Sequence, residues 1–229
     1  MRKFKINGAE YKIDRYGVIH QVDPKPFLYD GNYCATYDTP EYTRQNELLQ
    51  GMRLAFATGV HGRPIQSILD IGFGNGAFMK FAKKQIPVVY GHDISGVPVP
   101  AGCDFTQDIN IVVDVITFHD VLEHYPSIGF VRDLKAETVI IALPFFPGIE
   151  RFPNWHHRKA DQHIHHFTLD SLRKWMWKMG WKMHACSKHE DIVRKQDVDW
   201  NILVCGFKRY LPTDANPSRP GGLPSIGQV

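Results

Sequence analysis

Three glycines at alternate positions, Gly72, Gly74 and Gly76, follow the apolar run Ser67-Ile68-Leu69-Asp70-Ile71 and lead into Ala77-Phe78. Glycine lets a chain turn tightly and bring bare backbone against a ligand. The amides at the start of a following helix suit a carboxylate or a phosphate. Dinucleotide-binding turns read G-x-G-x-x-G and Walker loops end in Gly-Lys-Ser/Thr; Gly72-Phe73-Gly74-Asn75-Gly76 is neither. Asp70 would repel a pyrophosphate but attract an ammonium group. Asp93, in Gly91-His92-Asp93-Ile94, ends the next apolar run, where a carboxylate can accept hydrogen bonds from both hydroxyls of a ribose. Asp108-Ile109 follows a third element, at the place for a group that holds an adenine amino group.

Further along the chain lies Phe118-His119-Asp120-Val121-Leu122-Glu123-His124-Tyr125-Pro126. Ligands of open α/β sheets sit at the carboxyl ends of strands, so this segment should border the reacting group. If it is helical, Asp120, Glu123 and His124 share a face. The stretch from Trp155 to Thr168 holds five histidines, at positions 156, 157, 163, 165 and 166. Their spacing matches no closed tetrahedral zinc site. Histidine takes a proton near neutral pH, which makes His163 the first candidate for a general base and His119 the second. Phe145, Phe146, Phe152 and Trp155 are expected to form an aromatic wall for a substrate or a cation.

These residues need elements to hold them. From Ser67 onward, buried apolar runs alternate with helical stretches, the pattern of a sheet covered on both faces. Strands are expected at 67–71, 88–93, near 103–109, at 111–118 and at 138–143, with a closing pair at 181–188 and 202–208. Helices are expected from Thr39-Pro40-Glu41 to Gly59, on a stripe of Leu48, Met52 and Ala55, over 77–84, and over 168–180 on Leu172, Trp175, Met176 and Met179. Ahead of them, Phe4 to Val22 reads as a small β-meander turning at Asn7-Gly8 and Asp14–Gly17. After Tyr210 the proline- and glycine-rich run to Val229 has almost no core-forming residues and is expected to be a disordered tail.

At 229 residues, with 43% hydrophobic and 22% charged content, the composition is that of an ordinary globular protein. No apolar run approaches the roughly 20 residues of a membrane span, and a cytoplasmic location is expected. A net charge of +3 is too small to argue for a nucleic-acid partner. Cys34, Cys103, Cys186 and Cys205 show no paired spacing, which excludes a zinc ribbon and favours free thiols.

Taken together, Ile68–Gly76, His92-Asp93-Ile94, Asp114–His124 and His163–Gly180 resemble the class I methyltransferases that use S-adenosylmethionine, over roughly Thr39 to Lys208. The resemblance implies a Rossmann-like α/β fold with a seven-stranded, mostly parallel sheet and helices on both faces. The chain then divides into a meander (1–37), a methyltransferase domain (38–210) and a tail (211–229). It implies S-adenosylmethionine as cofactor, held by Asp70, Gly72, Phe73, Gly74, Gly76, Asp93, Ile94, Asp108, Ile109 and His119. Val-Leu-Glu-His at 121–124 and the stretch His163–Thr168 are similar to small-molecule methyltransferases, among them the ubiquinone-biosynthesis O-methyltransferases. In those an acid-x-x-Glu-His pattern is associated with a divalent metal. Asp120 replaces their first glutamate and shortens its reach, so no metal is expected, and Asp120, Glu123 and His124 are the residues that would hold one. The Asn/Asp-Pro-Pro-aromatic motif of amino-methylating nucleic-acid enzymes and the Pro-Cys pair of cytosine-carbon methyltransferases are both missing. The expected reaction is methyl transfer to an oxygen or nitrogen of a small molecule. A nucleic-acid or protein acceptor, and a catalytically silent S-adenosylmethionine-binding protein, stay open as alternatives.

Overall fold

The computed structural model describes residues 2–35, 40–146, 148–194 and 202–210. The expected Thr39 cap and the expected tail lie outside them. In chain order the elements are β1 (Arg2–Ile6), β2 (Ala9–Ile13), β3 (Ile19–Val22), α1 (Gly31–Ala35), α2 (Pro40–His61), β4 (Ser67–Ile71), α3 (Ala77–Ala82) and β5 (Val88–His92). Then come β6 (Asp104–Phe105), β7 (Val113–His119), β8 (Ala136–Pro144), β9 (His165–His166), α4 (Leu169–Lys178), β10 (Trp181–Ser187), α5 (His189–Val193) and β11 (Ile202–Arg209).

Seven strands form one sheet in the order β10-β11-β8-β7-β4-β5-β6. Strands β8, β7, β4, β5 and β6 pair in parallel, and β11 runs antiparallel to both β8 and β10. This is the Rossmann-like, mostly parallel architecture expected from the sequence. Side chains of a strand alternate between faces, and here the alternation splits the core. Leu69, Ile116, Ile141 and Phe207 pack on one face with Trp175, Met176 and Trp181. Ile68, Val115, Ile140 and Val204 pack on the other with Leu54, Ala57, Phe78 and Met79. Both faces are dry, which is why these strands read as continuous apolar runs.

Helix α4 keeps its expected stripe, with Leu172, Trp175, Met176 and Met179 all buried. Thr168 and Ser171 form a reciprocal capping box at its start. Helix α2 departs from expectation. Leu48 is 59% exposed, while Gln50, Arg53, Leu54, Ala57, Val60 and His61 are buried. These buried positions recur at helical spacing on a face other than the expected one, and that face carries Arg53, buried in an ion pair with Glu190. It also runs past Gly59 to His61, where Gly62 (φ +79°) takes over as terminator.

The meander is present, and a fourth strand that the sequence did not suggest completes its sheet. Strand β9 pairs antiparallel with β3, Ile19 opposite His166 and His20 opposite His165. Phe146, Phe152 and Trp155 fill the space beneath with Tyr11 and Ile19. A polar thread fastens the join. His20 Nε2 lies 3.3 Å from Asp14 Oδ2, His20 Nδ1 lies 2.8 Å from His165 Nδ1, and His165 Nε2 donates to the Tyr125 carbonyl oxygen at 2.8 Å. No helix among the described residues is long and apolar enough to cross a membrane.

Candidate active site

A cavity of about 720 Å³ opens where β4, β5 and β7 end. One side is built by the glycine turn. Gly72 has φ +74°, and a Cβ there would lie 2.4 Å from Val121 Cγ2. Its N–H donates to the His92 carbonyl oxygen at 2.7 Å, so the turn is clamped between the ends of β5 and β7. Gly74 has φ +56° and nothing within 4 Å of where its Cβ would be, which leaves bare backbone open to a ligand. Asp93 braces this turn: Oδ2 accepts from Gly74 N at 2.8 Å and Oδ1 from Ser95 N at 2.7 Å. Each carboxylate oxygen keeps a lone pair for a further donor.

Asp70 is 3% exposed and accepts the Thr117 hydroxyl at 2.6 Å. His119 Nδ1 lies 3.5 Å from Asp70 Oδ1, with its ring edge-on to Phe78 at 4.7 Å. Neither ring nitrogen of His119 has a hydrogen-bond partner among the described residues. A buried polar group without a partner is costly, and this one faces a cavity with carboxylates at Asp70 and Asp93. An open backbone turn, a carboxylate for an ammonium group and a carboxylate for a ribose fit S-adenosylmethionine.

Asp70, Gly72, Phe73, Gly74, Asp93, Ile94 and His119 all line this cavity, as expected. Three expected cofactor contacts do not. Gly76 starts α3, where a Cβ would lie 2.7 Å from Pro100 Cγ, so this glycine is needed for packing. Asp108 is exposed and its carboxylate accepts the Asn110 N–H at 2.8 Å. Ile109 packs on the main core. The aromatic wall is also corrected: Phe146, Phe152 and Trp155 are core under the meander, and Phe145 belongs to the main core.

The opposite side is polar. Residues Leu122–His124 make one 3-10 turn, and Asp120 before it is left-handed at φ +57°. That reversal breaks the shared face expected for Asp120, Glu123 and His124. Asp120 Oδ2 meets Arg194 Nη1 at 2.8 Å and Arg53 Nη2 at 3.4 Å. Glu123 is 1% exposed and neither carboxylate oxygen has a hydrogen-bond partner among the described residues. Burial, reinforced by the charge of Asp120, pushes its carboxyl well above the usual range. His124 Nδ1 lies 2.8 Å from the Gln162 carbonyl oxygen and 2.6 Å from the Tyr29 hydroxyl.

His163 is in the cavity, with Nδ1 2.6 Å from the His157 carbonyl oxygen. Burial, with His124 and His166 adding to it, pushes its pKa down to about 2. That direction runs against the role of general base expected for His163 from the sequence.

A buried ion network forms the rear wall. Arg53 Nε and Nη2 grip the two carboxylate oxygens of Glu190 at 2.7 and 2.9 Å, and Arg194 Nη1 reaches Glu190 Oε2 at 3.0 Å. Burial pushes Glu190 upward, but the charge and hydrogen bonds of Arg53, with Arg194 behind it, outweigh this and hold the carboxyl well below its usual range. Sequence reading missed this network. Arg53 and Glu190 are 137 residues apart, and no local spacing marks such a pair.

A mostly parallel seven-stranded sheet with a glycine turn between two strand-end carboxylates is the class I methyltransferase architecture. Residues 41–185 match the family described as Methyltransferase domain; the chain belongs to this family, whose cofactor is S-adenosylmethionine. No curated sequence matches the chain. Among solved structures it is similar to the 1,6-didemethyltoxoflavin-N1-methyltransferase of Burkholderia thailandensis, bound to 1,6-didemethyltoxoflavin and S-adenosylhomocysteine. The identity is 15% and the TM-score 0.56, over 92% of this chain and 100% of that one. It is also similar to the magnesium protoporphyrin IX methyltransferase of Synechocystis PCC 6803 with bound S-adenosylhomocysteine, at 16% identity and TM-score 0.51, over 74% and 86%. A chain from the complex of the Haloferax volcanii Trm112 methyltransferase activator gives 10% identity and TM-score 0.53, over 78% and 98%.

Proposed function

We propose that the chain transfers a methyl group from S-adenosylmethionine to an oxygen or nitrogen of a small molecule. The observation that carries this reading is that one cavity holds both the cofactor cradle and a wall of Glu123, His124, Gln162 and His163. A volume of about 720 Å³ has room for a cofactor and a modest acceptor. Two neighbours support the reading, since their names give small-molecule acceptors.

Bound S-adenosylmethionine supplies a methyl group already activated on a sulfonium, so the protein's task is positioning and exclusion of water. Asp70 would pair with its amino group, the open Gly72–Gly74 backbone would receive its methionine end, and Asp93 would accept from its ribose hydroxyls. Thr117 fixes the Asp70 carboxylate. Residues of the 3-10 turn and Gln162–His163 hold the acceptor on the opposite side. For a hydroxyl acceptor His119 takes the proton, with Asp70 as counter-charge 3.5 Å away.

The test is to incubate the full chain with methyl-labelled S-adenosylmethionine and small hydroxyl and amine compounds, RNA, DNA and protein, each in a separate arm. Label in a small-molecule product supports the proposal. Label confined to macromolecules overturns the acceptor class, and binding of S-adenosylhomocysteine without turnover in any arm supports a silent binding protein.

A further inference from the structure

Glu123 poses a problem that cofactor binding leaves unsolved. A carboxyl group 1% exposed, with both oxygens unpartnered among the described residues, is destabilising wherever it only fills space. It does not sit alone. One ligand atom each from Glu123, His124 and His163 lies within 4.8 Å of the other two. Glu123 Oε1 is 3.9 Å from His124 Nε2, and the two imidazoles are 4.7 Å apart at 77° between planes.

A backbone carbonyl faces the Nδ1 atom of each histidine. The His157 carbonyl, which cannot donate, accepts the His163 Nδ1 proton at 2.6 Å, and His124 Nδ1 lies between the Gln162 carbonyl oxygen at 2.8 Å and the Tyr29 hydroxyl at 2.6 Å. His163 Nε2 is therefore left with its lone pair, and His124 Nε2, 3.9 Å from Glu123 Oε1, has its own lone pair whenever Nδ1 donates to Gln162. Backbone carbonyls that fix the ring orientation in this way are the usual outer support of a histidine metal ligand.

We infer that Glu123, His124 and His163 bind a first-row transition-metal dication on the wall of the cavity facing the methyl donor. Two imidazoles and one carboxylate suit zinc, manganese, iron, cobalt or nickel, whereas magnesium and calcium favour all-oxygen sets. Bonds of about 2.0–2.2 Å draw the three groups together from their present separation. Because all three residues line the cavity, the remaining coordination positions face the acceptor. The ligand set comes from the geometry and departs from the acid-x-x-Glu-His pattern, because Asp120 is turned onto Arg194 and Arg53 and is replaced by His163. Metal binding does not depend on which acceptor is methylated.

The probe is cobalt(II) alone, titrated into metal-stripped full-length protein and followed by calorimetry and the visible d–d absorption of the bound ion. The expected result is one cobalt per chain with a spectrum of nitrogen and oxygen ligands. E123Q and, separately, H163N each lower the affinity at least about 100-fold, while D120N stays within about threefold of wild type. Melting of the metal-free variants checks that they are folded, and E123Q should melt at or above wild type because it removes a buried acid. Absence of stoichiometric cobalt binding by wild type overturns the inference. So does binding by E123Q at wild-type affinity, or a loss in D120N equal to that in E123Q.

Discussion

Gly72→Ala tests how tightly the cofactor turn is clamped. Two costs add at this position. Alanine in a left-handed conformation costs about 1–2 kcal/mol, and Gly72 sits at φ +74°. A methyl group forced into packed surroundings costs a further ~1–3 kcal/mol, and here it would lie 2.4 and 2.5 Å from the two Cγ atoms of Val121. The sum is roughly 2–5 kcal/mol, which at about 2–4 °C per kcal/mol for a chain of this size lowers the melting temperature by about 10 °C. Val121→Ala separates the two terms, because it removes both clashing carbons and leaves the dihedral angle unchanged. In the double variant the penalty of G72A should shrink to about 1–2 kcal/mol, a coupling of ~1–3 kcal/mol in a double-mutant cycle read by urea denaturation. If G72A melts with wild type, or V121A leaves its penalty untouched, the clamp is not as described.

Three further outcomes follow from the same geometry. Asp93→Ala loses a charged acceptor for the ribose and a brace for Gly74, so calorimetry with S-adenosylhomocysteine should show affinity falling about 10- to 100-fold; unchanged affinity refutes the role. Glu190→Gln should destabilise by about 3 kcal/mol at pH 7, since it removes the nearer and fully buried carboxylate of Arg53 and leaves only Asp120 at 3.4 Å. The folded-state pKa of Glu190 is depressed, so its contribution is complete above its ordinary value of 4.5 and is lost as pH falls from there toward the folded value. Urea melts at pH 7 and 3.5 should show the gap to wild type narrowing, and a constant gap contradicts the pairing. Thr168→Ala removes half of the capping box on α4 and should cost about 1 kcal/mol, read as a shift in the urea midpoint at constant slope.

The sheet was legible in the sequence because its strands are buried on both sides, so Ile68–Ile71, Val115–Phe118 and Val139–Leu143 stand out as apolar runs. The glycine turn was legible because steric freedom at Gly72 and Gly74 is a property of the residue itself. Other parts depend on chain trajectories that no spacing encodes. Asp108 was assigned by its place after a third strand, and its carboxylate is exposed and turned onto the Asn110 N–H. Asp120 was assigned by helical periodicity, which one left-handed residue undoes. The buried face of α2 carries Arg53, paired with its distant partner Glu190. His163 and His124 meet Glu123 only because the chain after residue 146 folds back beside the turn that follows β7.

That fold-back also governs the order in which the molecule can be finished. His20 meets His165 across 145 residues, so during synthesis the sheet begun by β1–β3 waits for its last strand. At about 5–20 residues per second the delay is roughly 7–30 seconds. During translation the exposed edge of β3 is open to the wrong neighbours, and nascent chains arrested before residue 165 should be more prone to proteolysis and to chaperone capture than those released after it.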